Sequence, residues 1–146
     1  RNDAYTMRAV AEYALQEIHL AENDLVFTRG ALAMNAFHVT AGKMSYHHAV
    51  SDPAGIAFTS PRWISEPVLW TEWLHMGDLY SKSAARCMAV NVQKFCNMVC
   101  MHADTLILVQ TYAEARVEEL QGLSPHEITD IMALAQDRFG FVNSTN

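Results

Sequence analysis

The stretch "ALAMNAFHVTAGKMSYHHAV", Ala31 to Val50, decides the fold class. Its Ala, Met and Leu content favours helix, because these side chains lose little rotamer freedom there. Val39, Thr40 and Gly42 pull the other way, since β-branched residues and glycine lower helix propensity. As a helix the segment belongs to an all-α chain; as a strand pair it overturns that class. We read it as a helix, and the neighbouring segments follow the same pattern.

Upstream, Asp3 to about Asn23 reads as a helix. Met7, Val10, Ala11, Ala14, Ile18 and Ala21 recur there at three- and four-residue steps. "DLVFTRG" (24–30) is a connector ending in Gly30. Downstream, residues 51–67 hold three of the four prolines and read as an irregular loop. Ser65-Glu66-Pro67 then opens a helix to about Tyr80, with Trp70, Trp73, Gly77 and Tyr80 along one side. Near the end, "GLSPHEI" puts Ser124 at an N-cap, Pro125 at the first helical position and Glu127 at the third. This predicts a helix to about Gly140.

The longest element lies between these. Ala84 to Gln121 reads as one helix, stopped by Gly122. Met88, Val92, Phe95, Val99, His102, Leu106, Val109 and Ala113 are spaced 4, 3, 4, 3, 4, 3, 4, and Leu120 resumes the register. Such spacing makes a heptad seam, a surface through which helices associate. Gln93, Asn97, Asp104, Thr111 and Glu118 occupy the opposite side. A helix of about 38 residues is roughly 55 Å long. A compact domain of this size has a radius of gyration of only about 15 Å. The helix must therefore be the spine of the domain or project into a partner. The expected fold is all-α: a single helical domain over 1–146, about five helices around one long helix (84–121), with an irregular loop at 51–67.

Composition sets the class of partner. Hydrophobic residues make up 51% of the chain and charged ones 18%, against about 25% charged in typical domains. So little charge implies surface buried against another subunit, hence a homo-oligomer or a larger protein complex. The net charge of −6 and ten scattered Lys and Arg exclude a nucleic-acid partner. No apolar run reaches the 18 or so residues of a membrane span. Three cysteines and eight methionines, with no signal peptide, point to a reducing, intracellular (cytoplasmic) setting.

Several clusters suggest chemistry. "FCNMVCMHAD" (95–104) holds Cys96, Cys100 and His102. On a helix the two cysteines share a face, while His102 lies about 200° around from Cys100. The three cannot converge on an ion, so the thiols read as small buried groups. His102 sits inside the seam and reads as a satisfied polar residue that sets packing and register. Glu72 and His75 have the Glu-x-x-His spacing of di-metal bundles, but the chain has no second such pair. They remain weak metal candidates on a solvated face. Gly42-Lys43 lacks the earlier glycine and the following hydroxyl of a phosphate loop.

The last 25 residues, "GLSPHEITDIMALAQDRFGFVNSTN", resemble the closing helix of carboxymuconolactone decarboxylases and the related alkylhydroperoxidase-like proteins. The resemblance implies a Cys-x-x-Cys pair with a histidine on the same helical face. This chain departs from it, with Cys96-x-x-x-Cys100-x-His102, so the catalytic residues do not carry over. The expected function is therefore a non-enzymatic helical assembly or interaction protein acting through apolar helix faces. The alternative is a small helical-bundle enzyme, or a cofactor or metal binder, using buried His102 or the Glu72/His75 pair. No cofactor is assigned.

Overall fold

A computed structural model of the chain describes residues 8, 12–48 and 54–131. Its strands are β1 (Leu15–Leu20), β2 (Leu25–Phe27), β3 (Asn35–Ala41), β4 (Lys43–His47), β5 (Ile56–Thr59), β6 (Arg62–Ile64), β7 (Asp78–Ser81) and β8 (Ala85–Asn91). Two helices follow, α1 (Val92–Cys100) and α2 (Ala103–Gln121). The deciding stretch is thus a strand pair, and the all-α expectation is wrong. Ala and Met favour helix only weakly, and burial on a sheet overrides that preference.

Among the described residues the strands form two antiparallel sheets of four, ordered β1-β8-β3-β6 and β2-β7-β4-β5. Their inner faces meet in one core. Phe37, Val39, Ile64, Cys87 and Ala89 come from the first sheet, and Phe27, Met44, Tyr46, Phe58 and Leu79 from the second. The chain crosses between sheets at Gly42, whose φ is +93°. A Cβ there would lie 2.6 Å from Ala85 Cα, so only glycine fits this corner. A second apolar cluster, with Ala33, Ala36, Val68, Trp73 and Val90, covers the outer side of the first sheet.

The long helix at 84–121 is three elements. Its first part is β8, which pairs with both β1 and β3. Ala85, Cys87 and Ala89 face the core while Val90 joins the outer cluster. Burial alternates from Ala85 to Ala89, with Arg86 exposed and Met88 half-buried, but the inward residues are small ones that a helix accepts as readily. Asn91 ends the strand and caps α1, its side chain accepting from Lys94 N–H at 3.0 Å. A second break at Met101–His102 folds α2 back as a hairpin. His102 stands at the N-cap of α2 with extended backbone (φ −129°).

Both helices turn an apolar side towards the sandwich, so the 3-4 spacing runs on across the break. Val99 is buried; Val92, Phe95, His102, Leu106, Val109, Ala113 and Leu120 are half-buried; Gln93, Asn97, Asp104, Thr111 and Glu118 are exposed. Val92, Phe95 and Leu120 pack on the outer cluster. Met88 lies in β8, outside either helix.

Other expectations change for similar reasons. In the first segment Glu12–Ala14 is helical, but Leu15–Leu20 is β1; most of what precedes lies outside the described residues. The supposed loop at 51–67 contains β5 and β6. The supposed helix up to Tyr80 is a 3-10 turn, Glu66–Leu69, followed by extended chain and β7. The last helix begins as foreseen at Ser124, whose N–H donates to the Glu127 carboxylate at 3.0 Å. It is only a 3-10 turn, Pro125–Glu127, and Ile128 is already extended. Residues 132–140 lie outside the described residues, as does most of the stretch that carried the family resemblance. No described helix is long and apolar enough to cross a membrane.

Candidate functional site

Residues 65–77 link β6 to β7 across one end of the sandwich. Ser65 opens the link in a left-handed conformation (φ 56°, ψ 30°) although it is not glycine, and it is fully buried. Residues held this way cost about 1–3 kcal/mol and gather at functional sites. Further on, Ala33 N–H donates to the Trp73 carbonyl and His75 N–H to the Ala31 carbonyl, at 2.8 and 2.9 Å. This pairing makes Trp73–His75 strand-like. Trp73 and His75 therefore point inward and Leu74 outward. Gly77 closes the link against Tyr46; a Cβ there would lie 2.6 Å from Tyr46 Cζ.

The side chain of Asp130, from beyond α2, fills the space these residues enclose. Three donors reach one carboxylate oxygen: Trp73 Nε1 and His75 Nδ1 at 2.9 Å, and Ser65 Oγ at 3.1 Å. Three reach the other: Tyr46 Oη and Met76 N–H at 2.7 Å, and Gly77 N–H at 3.2 Å. The main chain joins in, with Ser65 N–H donating to the Asp130 carbonyl at 2.7 Å and Asp130 N–H to Tyr46 Oη at 3.2 Å. Arg62 also donates to the Ile131 carbonyl at 2.9 Å.

The electrostatics follow from this shell. Burial opposes the charged form of Asp130, but the bonds from His75, Trp73, Tyr46 and Met76 outweigh it and hold the carboxyl below its usual value. Burial, with Asp130 alongside, pushes the Tyr46 phenol well above its usual value, so Tyr46 stays a donor. An ionised carboxylate only accepts, which puts a proton on His75 Nδ1. Phe27 stacks flat on the His75 ring, centroids 3.6 Å apart, and fixes its plane. What this builds is an oxyanion cradle.

The same link grips the helical hairpin from its other side. Tyr112 Oη on α2 donates to the Glu66 carboxylate at 2.9 Å, and Arg116 lies 3.7 Å from the same oxygen. Arg116 also donates to Glu119 at 3.2 Å. The Trp70 ring meets Tyr112 and Phe95 edge-on, at 4.8 and 6.0 Å between centroids. Two buried donors in this clamp, Trp70 Nε1 and Arg116 Nε, have no hydrogen-bond partner among the described residues.

Of the residues singled out from sequence as ligand or metal candidates, His75 alone enters the cradle. Glu72 is exposed while His75 is buried, so the Glu72/His75 pair does not converge, and the solvated-face reading fails for His75. Cys96 and Cys100 are exposed on α1, contrary to the buried reading; Cys87 is buried in β8; all three are unpaired. Among the described residues no group of three or more His, Cys, Asp or Glu is placed to hold a metal ion. The sequence reading passed over Asp130, Tyr46 and Met76. It took Ser65 for a helix start, and Trp73 and Gly77 for one side of a helix. The overlooked signal is the inward-outward-inward run Trp73-Leu74-His75 closed by Gly77, a strand ending in a tight approach.

No family model matches the chain, and no curated protein matches it. Solved structures do. The N-terminal domain of a transcriptional regulator from Streptomyces coelicolor A3(2) superposes with a TM-score of 0.62 at 18% identity, over 94% of this chain and 91% of that one. The C-linker/CNBHD of zELK channels, crystallized in the presence of cAMP, gives 0.64 at 8% identity over 75% of this chain, which spans 56% of that structure's length. A cyclic nucleotide-binding-like protein from Brucella abortus gives 0.57 at 14% identity, over 64% of this chain and 82% of that one. At these identities the likeness shows the fold alone, a two-sheet β-jelly roll resembling those domains. The helical assembly protein expected from the sequence falls with the helical bundle on which it rested.

Proposed function

We propose that the chain is a ligand-responsive regulatory domain, in which the jelly roll holds an anionic group and the α1–α2 hairpin carries the response. One observation carries this reading. The link 65–77 supplies five of the six donors around Asp130, and it also supplies Glu66 and Trp70, which grip the hairpin. A change of occupant in the cradle must move that link, and the hairpin with it. Asp130 adds a second coupling, because it follows α2 directly through Gly122–Thr129.

Coupling is tested by Tyr46→Phe, which removes the two hydrogen bonds of Tyr46 Oη with Asp130 and touches neither helix. Hydrogen exchange over 103–121 should rise several-fold while β3 and β8 amides stay protected. Unchanged exchange in α2 would leave the hairpin uncoupled and sink the reading. One structural neighbour was crystallized in the presence of cAMP and another is a cyclic nucleotide-binding-like protein, so cAMP is the first ligand to titrate, with the melting temperature as readout.

The expectation of a homo-oligomer or larger complex finds support on the hairpin. Met101, Ile107 and Leu108 there are 72%, 61% and 62% exposed. Ile107→Glu with Leu108→Glu should lower the mass measured by light scattering if this face meets a second copy. The unpaired cysteines fit a reducing, intracellular setting. The proposal takes residues 1–146 as one domain.

A further inference from the structure

We propose that Cys96 and Cys100 form a chelating dithiol on α1, a binding site for a soft centre that takes two sulfurs: a trivalent arsenical with one organic substituent, or a two-coordinate thiophilic cation such as mercury(II). The exposure of the pair is the first observation. Cysteine is among the residues most often buried, and Cys87 in β8 follows that habit. Cys96 and Cys100 do not; both are exposed, on a helix of nine residues. Four positions apart, they sit one turn from each other on the same side of α1. The packing side of the helix, with Val92, Phe95 and the buried Val99, leaves them on its flank. The exposed amides of Gln93 and Asn97, bonded to each other at 3.1 Å, border them towards solvent.

Geometry then selects the ligand. Cβ atoms one turn apart on a helix are about 5–6 Å from each other, and a disulfide needs about 3.5–4.5 Å. The two sulfurs therefore cannot bond to each other while α1 stays helical. An atom between them adds two bonds to the reach, each about 2.3 Å for a metal–thiolate contact, and spans the gap with the helix intact. Zinc is a poor occupant. It takes four ligands in a structural site, and among the described residues no third His, Cys, Asp or Glu joins the pair. His102, two residues on, lies beyond the break that ends α1. Zinc also needs thiolates, whereas partial desolvation and then the neighbouring Cys100 raise the Cys96 thiol above its usual value. An arsenical accepts neutral thiols. Two S–H bonds and two As–OH bonds break, two As–S bonds form, and two molecules of water leave. Arsenic stays trivalent throughout, so no oxidant or reductant is consumed. Two-coordinate mercury would release two protons instead. Either bridge ties the last turn of α1 immediately before the break at Met101–His102. The site stands without the regulatory reading, which Tyr46→Phe tests separately.

The whole chain, reduced with a phosphine, is titrated with phenylarsine oxide or with mercury(II) chloride. Native mass spectrometry should show one phenylarsenic group or one mercury per chain, with the sheet circular dichroism unchanged. Cys96→Ser and Cys100→Ser, each alone, should weaken the arsenical by an order of magnitude or more, while Cys87→Ala should not. Ethanedithiol should strip the bound group and a monothiol at the same concentration should not, because only a second dithiol matches the chelate. Exchange over 92–100 should slow several-fold on binding, and β3 amides should keep their rates. Binding of the arsenical alone, or of mercury alone, identifies the class of the natural ligand. Arsenical binding that survives the loss of either sulfur overturns the chelate. So does binding that appears only once the chain is unfolded, or the absence of binding by both probes.

Discussion

The cradle and the clamp hold the same link, residues 65–77, from two sides, and they are built to different standards. In the cradle every oxygen of the Asp130 carboxylate is satisfied and the surrounding side chains of Tyr46, Ser65 and His75 are buried. In the clamp Arg116 Nε and Trp70 Nε1 are buried without partners among the described residues, and the ion pair to Glu66 is long at 3.7 Å. Unmet buried donors cost about 1–3 kcal/mol each. The clamp is thus the weaker joint, and strain on the link should open the hairpin before it opens the roll.

The largest effect should come from the stronger joint. Asp130→Ala strands six donors at once, and the loss should be about 3–5 kcal/mol, in the range for breaking a buried charge network. The melting temperature should fall by about 10 °C or more. Exchange should accelerate in both sheets as well as in the hairpin. A loss confined to the hairpin would show that the cradle is not the stronger joint.

Gly77→Ala attacks the cradle from the main-chain side. Its Cβ would overlap the Tyr46 ring, and forcing it in should cost about 1–3 kcal/mol. Arg116→Met tests the clamp. It removes an ion pair and a buried unmet donor together, so the cost should be only about 1–2 kcal/mol. Faster exchange should be confined to 92–121. Spreading of that change into β3 would erase the distinction between the joints.

Acid sharpens the comparison further, because the shift at Asp130 belongs to the cradle. Its folded carboxyl is held below the usual value, so on acidification the unfolded chain takes up the proton first. The stability it contributes is full above the unfolded value of about 4 and is lost as pH falls through the folded one. Urea midpoints should therefore drop on acidification more in the wild type than in Asp130→Asn. Equal slopes would remove Asp130 from the acid response. Smallest of all, Cys96→Ala with Cys100→Ala should change stability by less than about 0.5 kcal/mol, since both thiols are exposed. A larger loss would mean that α1 is buried in an assembly.

The two joints also differed in how far they could be read in the sequence. The inward side of the hairpin follows a local period, so Val92, Phe95, Val99 and Leu106 stood out from spacing alone. That spacing could not reveal the break at His102, because both helices turn the same side to the sandwich. The sheets hid behind composition. Ala85, Cys87 and Ala89 are small residues at home in a helix as well as in a strand, and the alternation in β8 ends at Val90, which is buried like Ala89 before it. Gly42 and the Val39-Thr40 pair were the visible warning. Of the cradle only His75 was read as a site residue, and for the wrong partner, while Ser65, Trp73 and Gly77 were read as parts of a helix. Asp130 reaches Tyr46 across 84 residues, and a single sequence carries no mark of which distant side chain an aspartate will meet.

The order of the strands has a consequence for how the chain comes into being. β1 finds its partner in β8, and the cradle closes only when Asp130 arrives. During synthesis the first strand therefore waits, its edge unpaired, while most of the domain is still being made. Folds governed by such distant contacts form slowly, and their waiting edges invite wrong partners. A nascent chain halted within α2 would have every strand of both sheets but no plug for the cradle. Release of residues 122–131 from the ribosome is the event that turns a paired sandwich into a locked one.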